Sequence, residues 1–309
     1  MKYIFCLGLT LLAAAFWGTS GPATRIVMGY GVTPLTIAFV RAAGAALILG
    51  LYGMFSKRRL VLFQAKELSR HLMDGLFGVA GMFFFNSLGM LLIPVGMATV
   101  LFYTAPFWVI IIAHLMRKEQ INLLRLLCLI LGFGGVLLTV SETKIAGYAD
   151  LAGIFFMLLA GLCFAIYIIN GKYGSGDKDP FGNYFNNFFW GALILLVVSL
   201  PLGNLYQLQG LPFKAWLLLI YWVLFPTVGG YGLILLSLRF LPGGVVSITS
   251  MAEIPFAILW GWMFLKESPD LGTQLGASLI ICAICLLSLE NEGFRNKVRQ
   301  TLTFKTQTK

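Results

Sequence analysis

A membrane-length apolar run with a proline at its middle occurs twice in this chain, once within Pro94 to Glu119 and again within Pro242 to Glu267. In each copy a loop proline is followed by Gly96 or Gly244, the mid-run proline is Pro106 or Pro255, and a Lys-Glu pair ends the run. Pro94 and Pro242 lie 148 positions apart, as do Lys118-Glu119 and Lys266-Glu267, with a one-residue slip at the mid-run prolines. Two copies of a unit that crosses a bilayer an odd number of times have opposite orientations, an arrangement from which a site at the repeat interface can be built.

The rest of the chain matches these runs. Only 11% of its residues are charged and 59% are hydrophobic, against roughly 25% charged in a soluble domain. Apolar stretches of about 20 residues recur throughout, each long enough at 1.5 Å per residue to cross about 30 Å of hydrocarbon. The formal charge of +10 falls between and after these runs, which fits a membrane surface and argues against nucleic acid as a partner. Cys6, Cys128, Cys163, Cys282 and Cys285 all sit inside apolar runs, so free, buried thiols are expected rather than a disulfide framework. The Cys282-x-x-Cys285 pair lacks the second pair of ligands that a metal site needs, so no cofactor or metal is expected. Lys2 and the Ala13-Ala14-Ala15 run have the look of a signal peptide. Because Phe16 aligns with Phe164 at the same offset of 148, the segment reads as a retained first span.

The runs and their Gly, Pro and charge breaks predict an all-α integral membrane protein with ten transmembrane helices in two inverted five-helix repeats. The first repeat, 1–143, holds spans at Ile4 to Thr24, Thr33 to Met54, Leu72 to Leu92, Gly96 to Leu115 and Asn122 to Val140. The second, 148–290, holds spans at Leu151 to Gly171, Phe181 to Leu200, Ala215 to Leu236, Gly244 to Leu265 and Leu271 to Leu289. A basic cytoplasmic tail, 291–309, follows. With the N-terminus inside, seventeen Lys and Arg residues fall on the inner side and three, Lys144, Lys214 and Lys266, on the outer. The positive-inside rule therefore places both termini in the cytoplasm, and the expected location is a cell (inner) membrane. Glycine-rich helices allow close backbone approach, and Gly272-x-x-x-Gly276 reads either as packing within a monomer or as the face of a weak homodimer.

Ionisable groups deep in a span are costly, and each is a pathway or buried-pair candidate. Arg41 lies roughly 12 Å from the outer end of its span and Glu253 roughly 14 Å from the inner end of its own, at helical rise. Arg25 stands near the outer end of the first span. Neither midplane charge is echoed by the repeat. Two readings stand: a substrate site in which arginine binds a carboxylate or phosphate while Glu253 pairs it or carries a proton, and a structural ion pair or a snorkelling arginine. Trp17, Asn86, Tyr103, Asn187, Trp190 and Tyr231 lie at similar depth and supply the rings and hydrogen-bonding groups of a small-molecule pocket. Pro22, Pro106, Pro226 and Pro255 each remove a helical hydrogen bond and kink their spans. No P-loop, nucleophile elbow or catalytic triad spacing occurs, so the chain reads as no enzyme, and uphill transport would draw on a proton or counter-solute gradient.

In Trp17-Gly18-Thr19-Ser20 with Arg25, Val40-Arg41-Ala42, Pro106 to Lys118-Glu119, Glu253-Ile254-Pro255 to Lys266-Glu267, and Gly135-Val136-Leu137-Leu138, the chain resembles the EamA family of the drug/metabolite transporter superfamily along almost its full length. Lysine replaces the family's glycine before glutamate in both copies. The resemblance implies ten helices around a central cavity, alternating access, and export or exchange of small organic metabolites, often amino acids. A multidrug or organic-cation efflux carrier is the alternative within transport, and a non-transporting membrane scaffold the alternative outside it. Arg25 and Arg41 favour an anionic or zwitterionic solute over a cation.

Overall fold

A computed structural model describes residues 2–56, 68–93, 95–139, 148–174, 180–201, 204–266 and 268–289. The basic tail 291–309 and much of the linker between the halves lie outside them. The described chain is helical, in ten consecutive rods. They are α1 (Lys2–Gly18 and Ser20–Met28), α2 (Pro34–Phe55), α3 (Leu68–Leu92), α4 (Val95–Phe102 and Ala105–Leu115) and α5 (Leu123–Thr139). The second half follows with α6 (Tyr148–Ile169 running into Asn170–Gly174), α7 (Pro180–Ser199), α8 (Phe213–Leu238), α9 (Gly243–Ser250 and Glu253–Trp260, running into Gly261–Leu265) and α10 (Leu271–Ser288). Eight of these rods hold a helix long and apolar enough to cross a membrane; the apolar helices Lys2–Gly18 and Leu123–Thr139 are shorter, at 17 residues each.

Local chemistry sets the ends. Thr33 caps α2 by accepting from the Thr36 amide, with Pro34 in the first turn, and Asp270 caps α10 by accepting from the Thr273 amide, each satisfying a donor that the helix start leaves open. Arg117, two residues past α4, and Lys266, the residue after α9, are both in the left-handed conformation (φ 56° in each).

The expected proline kinks take two distinct forms. Proline lacks an N–H and clashes with the carbonyl four residues back, but it fits the first turn of a new helix. Accordingly α1 breaks at Thr19 ahead of Pro22, α4 at Tyr103-Thr104 ahead of Pro106, and α9 at Met251-Ala252 ahead of Pro255. Pro226 instead lies inside a π-helical stretch, Val223–Tyr231, with a second such stretch in α3 at Leu76–Gly81. In each, a glycine faces the carbonyl of the leucine five residues earlier: Gly81 over Leu76 and Gly229 over Leu224. Both these pairs and the breaks of α4 and α9 are separated by 148 positions.

Packing follows the same order. α5 lies on α10, α2 on α7 and α4 on α9, each rod against its counterpart five places later. Several other contacts come in swapped pairs: α3 with α6 and α8 with α1, α3 with α7 and α8 with α2, α4 with α6 and α9 with α1. Glycines set the closest crossings. An added Cβ at Gly135 of α5 would lie 2.6 Å from the Gly276 carbonyl of α10, and one at Gly276 would lie 2.5 Å from the Gly135 carbonyl. Cys6, Cys128 and Cys163 are free and buried as expected, whereas Cys282 and Cys285, also free, are exposed. α10 packs its glycine face inward, which turns this pair outward on an apolar helix surface.

Candidate functional site

The two broken helices meet at their breaks. Tyr103, in the break of α4, donates from its hydroxyl to Glu253 Oε2 at 2.6 Å and lies 3.5 Å from the Ser250 carbonyl. Glu253 opens the second half of α9, where the free amides of a helix start favour a carboxylate. Tyr103 is buried, while Glu253 keeps part of its surface open.

Arg41 reaches from α2 toward the π-helical stretch of α8. Its Nε donates to Thr227 Oγ1 at 3.0 Å, and its guanidinium lies 4.5 Å from the Phe83 ring and 5.2 Å from the Trp222 ring, a cation–π pair on either side. Thr227 in turn donates to the Trp222 carbonyl at 2.9 Å, the acceptor that Pro226, having no N–H, leaves without its α-helical partner. Neighbouring carbonyls of the stretch are taken by side chains: Pro226 O by Trp17 Nε1 at 2.8 Å, and Val228 O by the Tyr184 hydroxyl at 2.7 Å. Side chains of α1 and α7 thus reach carbonyls of the π-helical stretch. Arg41, like Glu253, stays partly accessible.

A continuous arc of rings links the two charges. From Phe83, beside Arg41, it runs to Tyr231 (centroids 6.0 Å apart), Trp17 (5.0 Å), Phe164 (5.8 Å), Phe102 (5.4 Å) and Tyr103 (5.7 Å), which bonds Glu253. α1, α3, α4, α6 and α8 all contribute, so the arc draws on both halves of the chain. Among the described residues Arg41 and Glu253 form no ion pair with each other; the ion pairs seen are Arg70–Asp74 at 3.8 Å and Arg125–Glu119 at 2.7 Å.

Of the residues singled out from sequence, Trp17, Arg41, Tyr103, Tyr231 and Glu253 come together here. Asn187 and Trp190 lie on α7, with Trp190 Cβ pressed against the position of Gly75 in α3 and Asn187 buried. Asn86 is half-buried on α3. Arg25 lies on the second helix of α1, and its side chain is outside the described residues. Phe83, Trp222 and Tyr184 were not anticipated. Nothing in sequence separates an arc-lining ring from a lipid-facing one, although Phe83 and Trp222 are the rings that an intramembrane arginine would need. An apolar groove of about 730 Å³ opens elsewhere, between α1, α9 and α10, past Leu11, Pro255, Phe256 and Trp262.

A bundle of apolar rods, eight of them holding a helix long enough to cross a membrane, defines a multi-pass membrane protein. The sequence pattern of the EamA-like transporter family matches residues 4–141 and again 151–289, and the chain belongs to that family. It is a transporter and no enzyme. An uncharacterised transporter of Archaeoglobus fulgidus is 27% identical over 292 residues, covering 93% of this chain and 99% of its own. The uncharacterised transporter YdfC of Bacillus subtilis is 25% identical, covering 90% and 89%. An S-adenosylmethionine uptake transporter of Rickettsia conorii is 26% identical over 217 residues, 68% of each chain. A crystal structure at 13% identity shares the fold, with a TM-score of 0.74 over 92% of this chain and 96% of its own.

Proposed function

We propose that this chain is a secondary carrier exporting or exchanging small zwitterionic or anionic metabolites, amino acids and related compounds, by alternating access. The observation that carries this reading is the separation of Arg41 from Glu253. Each charge is held by neutral partners, Thr227 with two rings and Tyr103 respectively, and each stays partly open. Opposite charges left apart deep in a bundle, where each is costly, suit a solute that carries both: its carboxylate on Arg41 and its ammonium toward Glu253 and the rings. A cation carrier has no use for Arg41. S-adenosylmethionine, for which the Rickettsia conorii relative is described as an uptake transporter, is itself an amino-acid zwitterion with an added cation and an aromatic base.

The carrier is read as two inverted five-helix repeats, 1–143 and 148–290. The equal offsets of the α4 and α9 breaks and of the π-helical stretches in α3 and α8 support it, as do the swapped packing pairs. Ten crossings are supported by the Tyr3 hydroxyl, 3.4 Å from the Leu287 carbonyl, which brings the start of α1 beside the end of α10. The two 17-residue helices are at the short end of the roughly 17–25 residues that span a bilayer. The basic face holding those ends is assigned to the cytoplasm of a cell (inner) membrane. The test is flux of a metabolite panel in reconstituted vesicles, with and without a pH gradient. Amino-acid flux that is lost in Arg41→Gln and loses its pH-gradient dependence in Glu253→Gln is expected. Unchanged flux in both variants would overturn the reading.

A further inference from the structure

The Lys-Glu pair closing each repeat copy takes no part in the arc, yet in the first copy its glutamate joins three helices. Glu119 lies just past α4. Its Oε1 accepts from the Gly243 amide at 2.7 Å and from the Tyr173 hydroxyl at 2.6 Å, while its Oε2 pairs with Arg125 Nη1 at 2.7 Å. One carboxylate therefore caps the start of α9, reaches the end of α6 and takes the charge of α5. Both members of the ion pair are nearly enclosed, with side chains 10% and 14% exposed, so solvent screening is weak. Beside it Lys172 Nζ donates to the Leu238 carbonyl at 2.6 Å, tying the end of α6 to the end of α8. Val109, wholly buried, lies directly beneath: its Cγ1 is 3.4 Å from the position of a Cβ at Gly243.

The helices joined here are those that meet at the site. α9 carries Glu253, α4 carries Tyr103, and α6 carries Phe164. Opening this face to a solute requires the start of α9 to part from α4 and α6, and the carboxylate of Glu119 spans that seam. We propose that Glu119 is a positioning residue acting as a latch: it holds the basic face of the transport path shut, and release of its contacts to Gly243 and Tyr173 opens that face. The inference rests on the alternating-access reading above, and it assigns a role to a motif that the solute site leaves unused.

The test measures accessibility and needs no solute. In the full chain with its five cysteines replaced by alanine or serine, a Val109→Cys reporter sits beneath the latch and a Leu35→Cys reporter near the opposite face, where the Thr36 hydroxyl is tied to Gln207 at 2.9 Å. Each is labelled with a membrane-impermeant maleimide from its own side of oriented vesicles. Glu119→Ala is expected to raise Val109→Cys labelling by about ten-fold or more, as for loss of charge-assisted hydrogen bonds, and to lower labelling of Leu35→Cys. Tyr173→Phe, which removes one contact and leaves the ion pair, is expected to shift both in the same directions by less. If both reporters rise together, the variant has only loosened the bundle and the latch is refuted. Unchanged labelling refutes it equally. Reporters that respond as expected in a protein that moves none of the panel would leave the latch standing and remove the solute reading.

Discussion

Replacing Arg41 by lysine keeps the charge and removes the planar fork. Arg41 Nε is occupied by Thr227 at 3.0 Å and the Tyr231 hydroxyl also hydrogen-bonds the guanidinium, so a solute carboxylate would meet the Nη groups beside Tyr231. A fork donates two parallel bonds to that carboxylate and an ammonium one. Losing one charge-assisted hydrogen bond costs about 1.5–3 kcal/mol, and at about 1.4 kcal/mol per factor of ten the half-saturating concentration should rise about 10- to 100-fold. Lysine retains part of the attraction to Phe83 and Trp222, so collapse of the site is not expected. The assay is concentration-dependent uptake of an amino acid into proteoliposomes, with its decarboxylated amine as a competitor. In Arg41→Lys the amino acid should weaken by that factor and the amine should compete as before. Thr227→Val, which removes the anchor of Nε and leaves the fork, should weaken the amino acid by less. An unchanged half-saturating concentration, or an equal loss for acid and amine, would refute the assignment of Arg41 to the carboxylate.

Three further outcomes are expected. Gly276→Ala places a Cβ 2.5 Å from the Gly135 carbonyl, an overpacking that costs about 1–3 kcal/mol and lowers the melting temperature in detergent by a few degrees; adding Gly135→Ala should cost less than its own single effect, because α5 and α10 have already parted. Cys282 and Cys285, both exposed on an apolar helix, should react with a lipid-soluble maleimide while Cys6, Cys128 and Cys163 do not, as mass spectrometry of labelled peptides would show. Asp270 accepts from the Thr273 amide at 2.6 Å, which holds its carboxyl below the usual aspartate range. A depressed folded value means that its stabilisation is present above the unfolded pKa near 3.9 and fades as pH falls through the folded value; Asp270→Asn should flatten that acid limb of stability against pH, and an unchanged limb would show that the cap is idle.

The parts of this protein that were legible in sequence are those for which hydrocarbon leaves little choice. Span positions follow from length and apolarity, and Arg41 and Glu253 stand out because a charge at that depth needs a reason. The partners of those charges were less legible. Thr227 and Tyr103 were visible as polar groups among apolar neighbours, but Phe83 and Trp222 were two of many rings in a chain with 26 Phe and 7 Trp. Trp190 and Asn187 share the composition of the arc residues and lie on α7, a difference set by which face of a helix meets which neighbour. Pro226 illustrates a further limit. Its missing N–H predicts a disturbed helix, yet whether the helix breaks or widens depends on whether a side chain such as Thr227 takes the freed Trp222 carbonyl and whether Tyr184 and Trp17 reach the carbonyls beside it.

The two halves agree in backbone and disagree in chemistry, and that contrast explains how one unit can serve both roles. Breaks at 103–104 and 251–252 and π-helical glycines at Gly81 and Gly229 keep the same spacing, because a backbone irregularity inside a membrane is tolerated only where neighbours satisfy it. A side chain has no such constraint. Glu253 stands where Ala105 opens the matching half-helix, and Arg41 where the second copy has Phe189. In the carrier proposed above, repeated irregularities would supply a scaffold able to move alike from either side, while the single-copy charges would give the site a carboxylate end and an ammonium end. A solute bound between them would keep the same orientation in the protein whichever face is open. For that reason Arg41→Gln should impair uptake and efflux alike when both are measured in one vesicle preparation. A loss confined to one direction would place Arg41 in a gate instead of the binding site.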